Sequence, residues 1–161
     1  MNFPLRIALY EPDIPQNTGT ILRMAACLGL AVDIIEPCGF VWGSKQMRRS
    51  GMDYLDQVDV TRHLNWHAFQ ASRSGQRRVL LTTRAADIYT AFNFKSGDIL
   101  LLGRESAGVP TEIHSVVDAR LTIPLKPGLR SFNLAAAAAM VAGEALRQLD
   151  AFPGKPDESA R

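Results

Sequence analysis

The sequence predicts an α/β fold built on a mainly parallel sheet with helices on both faces. Short apolar runs alternate with longer segments whose apolar residues recur at helical spacing, and this alternation is typical of parallel strands joined by helices. The chain has 161 residues, of which 47% are hydrophobic and 21% charged, enough for one buried core. We therefore predict one domain over residues 1–150 and a loose, proline-containing tail over 151–161.

The first half of the chain opens with a strand over 7–9 and a helix that Asn17 or Thr18 caps. Apolar residues recur at helical spacing from Ile21 to Leu28, and Gly29 is placed to end that helix. The following elements are a strand over 31–35, a short basic helical segment over 44–49, a weak strand over 58–60, and a helix over 65–71 anchored by Trp66 and Phe69.

The second half continues the same alternation. Strands are predicted over 79–82, 99–102 and 121–123, and Pro110 suits the first turn of a helix. The last helix is predicted over 133–149, with Ser131 or Asn133 as its cap. Five consecutive alanines, 135–139, give it little side-chain bulk, so it can approach a backbone or a flat ligand closely. We therefore expect a ligand site there.

Polar residues follow three of the predicted strands, and open parallel sheets bind ligands where their strands end. The loop after the first strand, EPDIPQNTGTILR, contains Asn17 and Arg23. GRESAGVP, with Gly103 and Glu105, follows the 99–102 strand, and residues 126–133 follow the last one. These three loops are the candidate site.

Several common kinds of site are absent from the sequence. Neither GxGxxG after the first strand nor GxxxxGK[ST] occurs, which argues against a standard dinucleotide site or an NTPase. His63 and His67 lack a third ligand, so we expect no metal site. We interpret Cys27 and Cys38 as buried free thiols, because they lack CxxC spacing. No apolar run approaches the roughly 18 residues of a membrane span, so we expect no membrane partner and a cytoplasmic protein.

The net charge of +2 and the pI near 8.7 are only a weak indication of a polyanionic partner. Two local clusters carry more positive charge: residues 45–49, with Lys45, Arg48 and Arg49, and residues 73–78, with three arginines. Each cluster is equally compatible with an ordinary solvated surface or with nucleic-acid binding.

The three loops together resemble a known family. NTGTILR, LLGRESAGVP and IPLKPGLRSFNLAAAAAM, in that order, look like the three motifs of the SPOUT class of RNA methyltransferases, with similarity over about residues 5–150. The short chain, the opening LYEPDIPQNTG and the segment IIEPCGFVW before a basic helix resemble the minimal subgroup that methylates the ribose of nucleotide 34 in tRNA.

That resemblance implies a deep trefoil knot in the C-terminal part of the sheet, a rare exception to unknotted topology. It also implies S-adenosylmethionine as methyl donor, with no metal, in a pocket formed by the loops of the knot. By position, the implied cofactor-binding residues are Leu81, Thr82, Gly103, Arg104, Glu105, Ile123, Pro124, Leu125, Ser131, Asn133 and Leu134.

The resemblance further implies a homodimer in which Arg23 of one subunit completes the site of the other. An arginine is hard to deprotonate, so we expect Arg23 to stabilise the developing 2′-alkoxide. Asn17 would position the ribose or a phosphate, and Ser131 and Asn133 would hold the cofactor or the hydroxyl. Taken singly, Arg23 could be a plain helix residue, and the others could be caps.

The implied substrate is a tRNA anticodon loop, whose unstacked bases proteins bind by stacking and by phosphate contacts. The expected substrate-binding residues are Trp42, Lys45, Arg48, Arg49 and Arg130, although Trp42 could equally belong to the core. Gly143 departs from the family pattern, since close relatives commonly have an aromatic residue there. Three alternatives stay open: methylation of rRNA or another tRNA position, a non-catalytic RNA-binding factor, and a small-molecule enzyme with another nucleotide cofactor.

Overall fold

A seven-stranded sheet, all of whose ladders are parallel, forms the centre of the molecule. A computed structural model describes residues 2–50, 52–85 and 87–154. The strands are β1 (Leu5–Tyr10), β2 (Ala31–Ile35), β3 (Asp59–His63), β4 (Arg78–Leu81), β5 (Asp87–Ile88), β6 (Asp98–Leu102) and β7 (Ala119–Thr122). Their spatial order is β3-β2-β1-β6-β4-β7-β5. Strands β1 to β3 are added toward one edge of the sheet and β4 to β7 lie on the other side of β1, so the topological switch point is between β1 and β6.

The described residues include five α-helices: α1 (Pro15–Leu28), α2 (Lys45–Arg49), α3 (Trp66–Ser72), α4 (Thr111–Val116) and α5 (Leu134–Leu149). The first four lie between strands, and α5 follows β7. 3₁₀ turns run over Met52–Gln57 and Tyr89–Ala91. The predicted helices and strands are confirmed with small shifts at their ends. The two 3₁₀ turns and the two-residue β5 were not predicted, because segments so short carry no detectable periodicity.

The sheet is covered on both faces, as predicted. Ile7 and Leu9 of β1 belong to one core cluster, which also includes residues of α1 and α5. Ala8 and Tyr10 belong to a second cluster with Phe69 of α3. Alternate side chains of a strand point to opposite faces, so each central strand contributes to both cores.

Two local predictions need correction. Helix α1 begins at Pro15 with Ile14 as its N-cap, so neither Asn17 nor Thr18 is the cap; both are buried within the first turn. Pro15 has no N–H to satisfy and a suitable φ, so it starts the helix earlier than a side-chain cap would. Gly29, at φ +66°, ends α1 as predicted. The prediction of buried cysteines is also wrong: Cys27 is exposed because it lies on the outer face of α1, and Cys38, in the loop after β2, is only partly buried.

A buried ionic network joins β1, β2 and β3 on the α3 face. The Asp33 carboxylate, fully buried, accepts hydrogen bonds from Arg6 Nε at 2.9 Å and from Arg73 Nη2 at 2.8 Å. Its Oδ1 also lies 2.8 Å from His63 Nε2. Burial alone would raise the pKa of Asp33, but the bonds from Arg6, Arg73 and His63 outweigh it and lower that pKa.

This network changes the interpretation of the second basic cluster, residues 73–78. Arg73 is committed to Asp33, and Arg77 contacts Asp98 at 2.6 Å. Two of the three arginines are therefore neutralised by buried or nearly buried carboxylates. The cluster is mainly structural, and the sequence-based possibility of a basic RNA surface there finds no support.

The C-terminal segment begins with a residue that packs against the core. Ala151 lies against the first core cluster, and its N–H donates to Leu146 O at 3.0 Å. Of the predicted tail over 151–161, residues 155–161 lie outside the described residues. In the part of the chain that the structure describes, no helix is long and apolar enough to cross a membrane.

Candidate functional site

A cavity of about 660 Å³ opens where β4, β6 and β7 end, next to the first turn of α5. Its floor includes Leu81, Leu102 and Thr122, the C-terminal residues of those strands. This is the edge at which parallel sheets bind ligands, and the volume lies within the range of about 300–1,000 Å³ common for small-molecule sites. Small Ala137 forms part of the α5 wall.

The cavity gathers all but one of the residues predicted to bind a cofactor. Those in its lining are Leu81, Thr82, Gly103, Arg104, Glu105, Ile123, Leu125, Ser131, Asn133 and Leu134. Pro124 is exposed and not among the lining residues. It lies in extended backbone between two lining residues, and successive side chains of such backbone point to opposite sides. Arg130, predicted to contact substrate, also lines the cavity.

A chain of side-chain hydrogen bonds joins the three motif loops. Asn133 Nδ2 donates to Asn17 Oδ1 at 3.0 Å, and Asn17 Nδ2 donates to Glu105 Oε1 at 3.3 Å. Asn133 Oδ1 also accepts from the N–H groups of Ala135 and Ala136, at 2.9 and 3.2 Å, and so caps α5. Ser131 does not cap the helix; its exposed side chain borders the cavity.

Glu105 also anchors the loop that follows β1. Its Oε2 accepts the backbone N–H of Asp13 at 2.9 Å, and Asp13 in turn contacts the hydroxyl of Ser106 and, at 3.7 Å, Arg104. Burial and the neighbouring Asp13 carboxyl raise the pKa of Glu105. Glu105 is therefore a positioning residue that holds the β1 and β6 loops together at the rim of the cavity.

Gly103 permits a tight turn at the end of β6. Arg104 and Gly108 exchange two backbone hydrogen bonds, of 3.0 and 2.8 Å, which fold residues 104–108 back on Gly103. A Cβ on Gly103 would lie 2.6 Å from the carbonyl carbon of Gly108. The obstacle is backbone, which cannot rotate aside, so any side chain here displaces the turn that forms one wall of the cavity.

We accordingly expect Gly103→Ala to weaken binding of S-adenosylmethionine, the cofactor that the family resemblance implies, roughly 10-fold, because the lining backbone of residues 104–108 must shift. Isothermal titration calorimetry measures this directly. Gly143→Ala, in α5, is the matched control: no atom lies within 4 Å of its added Cβ and its φ is not positive, so it adds a methyl group without a clash or backbone strain. Equal affinities for the Gly103→Ala variant and the unaltered chain would contradict the expectation.

Sequence reasoning missed a polar part of the cavity wall. Arg84 and His114 both line the cavity, and neither belongs to a motif that the sequence singled out. Burial, together with Arg84 and Arg120, lowers the pKa of His114. His114 lies on α4, which Pro110 helped to predict, but nothing in the sequence indicated that this helix faces the cavity.

The remaining predicted residues lie outside this cavity. The Arg23 guanidinium, exposed on α1, stacks over the Tyr54 ring with 5.0 Å between the guanidinium carbon and the ring centroid. Lys45, Arg48 and Arg49 are exposed on α2. Trp42 borders a separate cavity near the ends of β2 and β3. Within one chain, therefore, the structure does not bring Arg23 to the other predicted catalytic residues.

Comparison with known proteins adds independent information. The SpoU rRNA Methylase family model matches residues 4–143. A tRNA (cytidine(34)-2′-O)-methyltransferase of Beijerinckia indica is 58% identical over 148 residues, which cover 91% of this chain and 92% of that protein.

Solved structures agree with these sequence matches. One, described as "Structural insights into the 2-OH methylation of C/U34 on tRNA", superposes with a TM-score of 0.88 at 38% identity and covers 92% of this chain and 97% of the other. An AdoMet-bound rRNA methyltransferase from Sinorhizobium meliloti gives a TM-score of 0.83 at 27% identity, over 92% of this chain and 58% of that one.

Proposed function

This chain belongs to the SpoU methylase family and is a methyltransferase, and from that premise we propose its reaction. It transfers a methyl group from S-adenosylmethionine to the ribose 2′-hydroxyl of the wobble nucleotide, C34 or modified U34, in the tRNA anticodon loop. The observation that carries the proposal is the junction of three motif loops, bonded through Asn17, Glu105 and Asn133, at the mouth of one cavity. One relative is named a tRNA (cytidine(34)-2′-O)-methyltransferase, and a solved structure with the same fold is described as concerning methylation of C/U34 on tRNA.

The cavity at the ends of β4, β6 and β7 fits the proposed cofactor, and we call it the cofactor cavity. Its lining includes the ends of β4, β6 and β7, the edge at which parallel sheets bind ligands, and Leu81, Ile123 and Leu134 add apolar side chains suited to an adenine ring. Ala137 leaves room for a flat ring, and Ser131 lies at the mouth with an exposed hydroxyl. When bound, S-adenosylmethionine supplies an electrophilic methyl group on a sulfonium centre.

The remaining chemistry is placement of the ribose hydroxyl and stabilisation of the charge that develops on its oxygen. Both ends of the Asn17 amide are engaged by Glu105 and Asn133, so we propose that Asn17 positions the loops rather than taking a proton. The Arg23 guanidinium stabilises the negative charge that develops on the 2′-oxygen. Ser131 contacts the cofactor or the hydroxyl.

We propose a homodimer because Arg23 does not reach the cavity of its own chain. The α5 face that is not buried within one chain is a stripe of small and apolar residues, including exposed Ala136, Ala139 and Met140. Such a face suits close packing against a second copy. A twofold arrangement about α1 and α5 would place Arg23 of each subunit near the cavity of the other.

We also propose that the C-terminal part of residues 1–150, which we treat as one methyltransferase domain, forms a trefoil knot. Helix α5 follows β7 and packs on α1, while the Gln148 side chain bonds to the connection between β4 and β6. Gln148 Nε2 donates to Phe92 O at 2.8 Å, and Gln148 Oε1 accepts from Phe94 N–H at 3.0 Å. These bonds fix the connection against α5, and this contact supports the proposed knot.

The tRNA binds, in this proposal, through exposed positive charge near the cavity. Lys45, Arg48 and Arg49 of α2 contact phosphates, and Arg130 contacts the nucleotide at the cavity mouth. Two copies in a dimer would double this charge, which offsets the small net charge of +2 per chain. Action on tRNA also favours the cytoplasm as the location.

The proposed function is tested with tRNA that lacks the modification, labelled S-adenosylmethionine and mass mapping of the methylated nucleotide. We expect one methyl group on the ribose of nucleotide 34. A synthetic anticodon stem-loop with a 2′-deoxynucleotide at position 34 is the matched control and should accept none. Methylation of rRNA or of another tRNA position instead would refute the proposed target, and binding without transfer would refute catalysis.

A further inference from the structure

A second cavity, of about 360 Å³, lies where β2 and β3 end. Its lining residues are Glu36, Pro37, Cys38, Phe40, Trp42, Arg62 and Leu64. We call it the Trp42 cavity. Its position places it on the same edge of the sheet as the cofactor cavity, because all the strands run parallel.

The loops that border the two cavities contact each other. Gly39 N–H donates to Pro12 O at 2.9 Å, so the loop after β2 is bonded to the loop after β1. The approach is so close that a Cβ on Gly39 would lie 2.6 Å from Asp13 Cβ. Asp13 N–H in turn donates to Glu105, which lines the cofactor cavity. The loop that carries Trp42 is therefore connected, through the β1 loop, to the rim of the cofactor cavity.

The chemistry of the Trp42 cavity suits a planar ring. The Arg62 guanidinium stacks over the Trp42 ring, with 4.9 Å between its carbon and the ring centroid, and it also contacts Glu36 Oε1. Phe40 and exposed Leu64 add apolar surface. Burial raises the pKa of Cys38 to about 11, so its thiol stays neutral there. Unstacked bases of RNA bind on aromatic rings and guanidinium planes of this kind.

Positive charge adjoins the cavity. Helix α2 begins three residues after Trp42, and Arg48 Nε donates to Gly43 O at 2.9 Å, which fixes the helix against the loop that carries Trp42. Lys45, Arg48 and Arg49 are all exposed. A base in the cavity would thus have its backbone phosphates next to basic side chains, which is complementary in charge to a nucleotide.

Resting on the proposed function, we infer that the Trp42 cavity binds an unstacked nucleobase of the anticodon loop, a neighbour of the nucleotide that is methylated. Because Arg62 already covers one face of the Trp42 ring, the base stacks on the stacked Trp42–Arg62 pair and not between its two members. Since Arg62 contacts Glu36 through Oε1, Oε2 is available to accept a hydrogen bond from an exocyclic amino group, which favours cytosine, adenine or guanine over uracil.

The test combines Trp42→Ala with a series of anticodon stem-loops, each lacking one base. Fluorescence anisotropy of the labelled RNA gives affinities without requiring turnover. Trp42→Ala should weaken binding of the complete stem-loop about 5- to 150-fold, the usual range for a stacked base, and leave the affinity for S-adenosylmethionine unchanged. At one position, the fold-loss of affinity caused by removing the base and the fold-loss caused by Trp42→Ala should not multiply, because both changes remove the same contact.

Two further variants keep the test independent of folding. Trp42→Phe retains an aromatic ring and should recover most of the affinity. Trp66→Phe alters the other tryptophan, which packs on Tyr10 and Phe69, and should bind RNA like the unaltered chain. At the sensitive position, uracil should bind more weakly than cytosine or adenine, and Glu36→Gln should reduce that difference.

The outcomes separate the two proposals. Two results would overturn the assignment of the Trp42 cavity even if nucleotide 34 is methylated. One is that Trp42→Ala leaves the RNA affinity unchanged. The other is that, at every abasic position, the fold-loss of affinity from Trp42→Ala multiplies with the fold-loss from the missing base. Absence of methyl transfer to nucleotide 34 in a parallel assay would overturn the proposed function, while a single non-multiplying position would still support the nucleobase site.

Discussion

Arg23→Ala is expected to lower kcat for methyl transfer about 10²- to 10³-fold, the usual effect of removing one donor that stabilises an oxyanion. The affinity for S-adenosylmethionine should stay within about twofold, because Arg23 lies outside the cofactor cavity. Single-turnover transfer measures the first quantity and calorimetry the second. Arg23→Lys keeps a positive charge but loses the planar guanidinium, so its kcat should lie between those of the unaltered chain and of Arg23→Ala. Equal loss of binding and turnover would contradict the separate role of Arg23.

Mixed dimers test whether Arg23 acts across the proposed interface. The Arg23→Ala chain keeps an intact cavity, whereas a Gly103→Val chain keeps Arg23 but has a displaced 104–108 turn. In an equimolar mixture about half the dimers are mixed and each has one complete site, so activity should recover to about a quarter of that of the unaltered protein. No recovery, despite mixed dimers detected by mass spectrometry, would place Arg23 in its own chain's site.

The second large effect is expected on stability. Asp33→Asn should reduce the free energy of unfolding by about 3–5 kcal/mol, because Arg6 and Arg73 would remain buried or partly buried without a carboxylate. Urea denaturation at neutral pH measures the loss. Glu144→Gln removes an exposed i,i+3 pair with Arg147 and should cost less than about 0.5 kcal/mol. A comparable, small loss for both variants would refute the importance of the Asp33 network.

The pH dependence has a definite sign. The pKa of Asp33 is lowered in the folded protein, so its contribution to stability is present above the unfolded value of about 3.9 and is lost as pH falls through the folded value. The gap in unfolding free energy between Asp33→Asn and the unaltered chain should therefore narrow only below about pH 3.9. A gap that narrows already between pH 7 and 5 would contradict this assignment.

Local physical chemistry accounts for what could be predicted from the sequence. The apolar run over 31–35 forms β2 with those bounds, Gly29 ends α1 in a left-handed conformation, and Asn133 caps α5. Each depends on a few neighbouring residues, whose φ preferences and hydrogen-bonding groups are visible in the sequence. Local competition also explains one error: Pro15 starts α1, and Asn17 is thereby freed for a distant partner.

The order of the strands decided the contacts that could not be predicted from the sequence. Arg73 and Arg77 look like a basic surface in the sequence, yet they meet Asp33 and Asp98 across the sheet. Likewise, the exposed position of Arg23 and the polar wall formed by Arg84 and His114 depend on which helix faces which strand end. No periodicity encodes such placements, because they follow from packing between elements far apart in the chain.

The sequence by itself determined the parallel α/β class and the three motif loops, and all but one of the residues predicted to bind the cofactor line the cofactor cavity. Only the tertiary structure decided how those residues engage one another: Asn17 bonds Glu105, 88 positions away, and Asn133, 116 positions away. The physical reason is that a side chain's type and local spacing restrict what it can bind, whereas its actual partner depends on strands β1, β6 and β7 ending at one edge of the folded sheet.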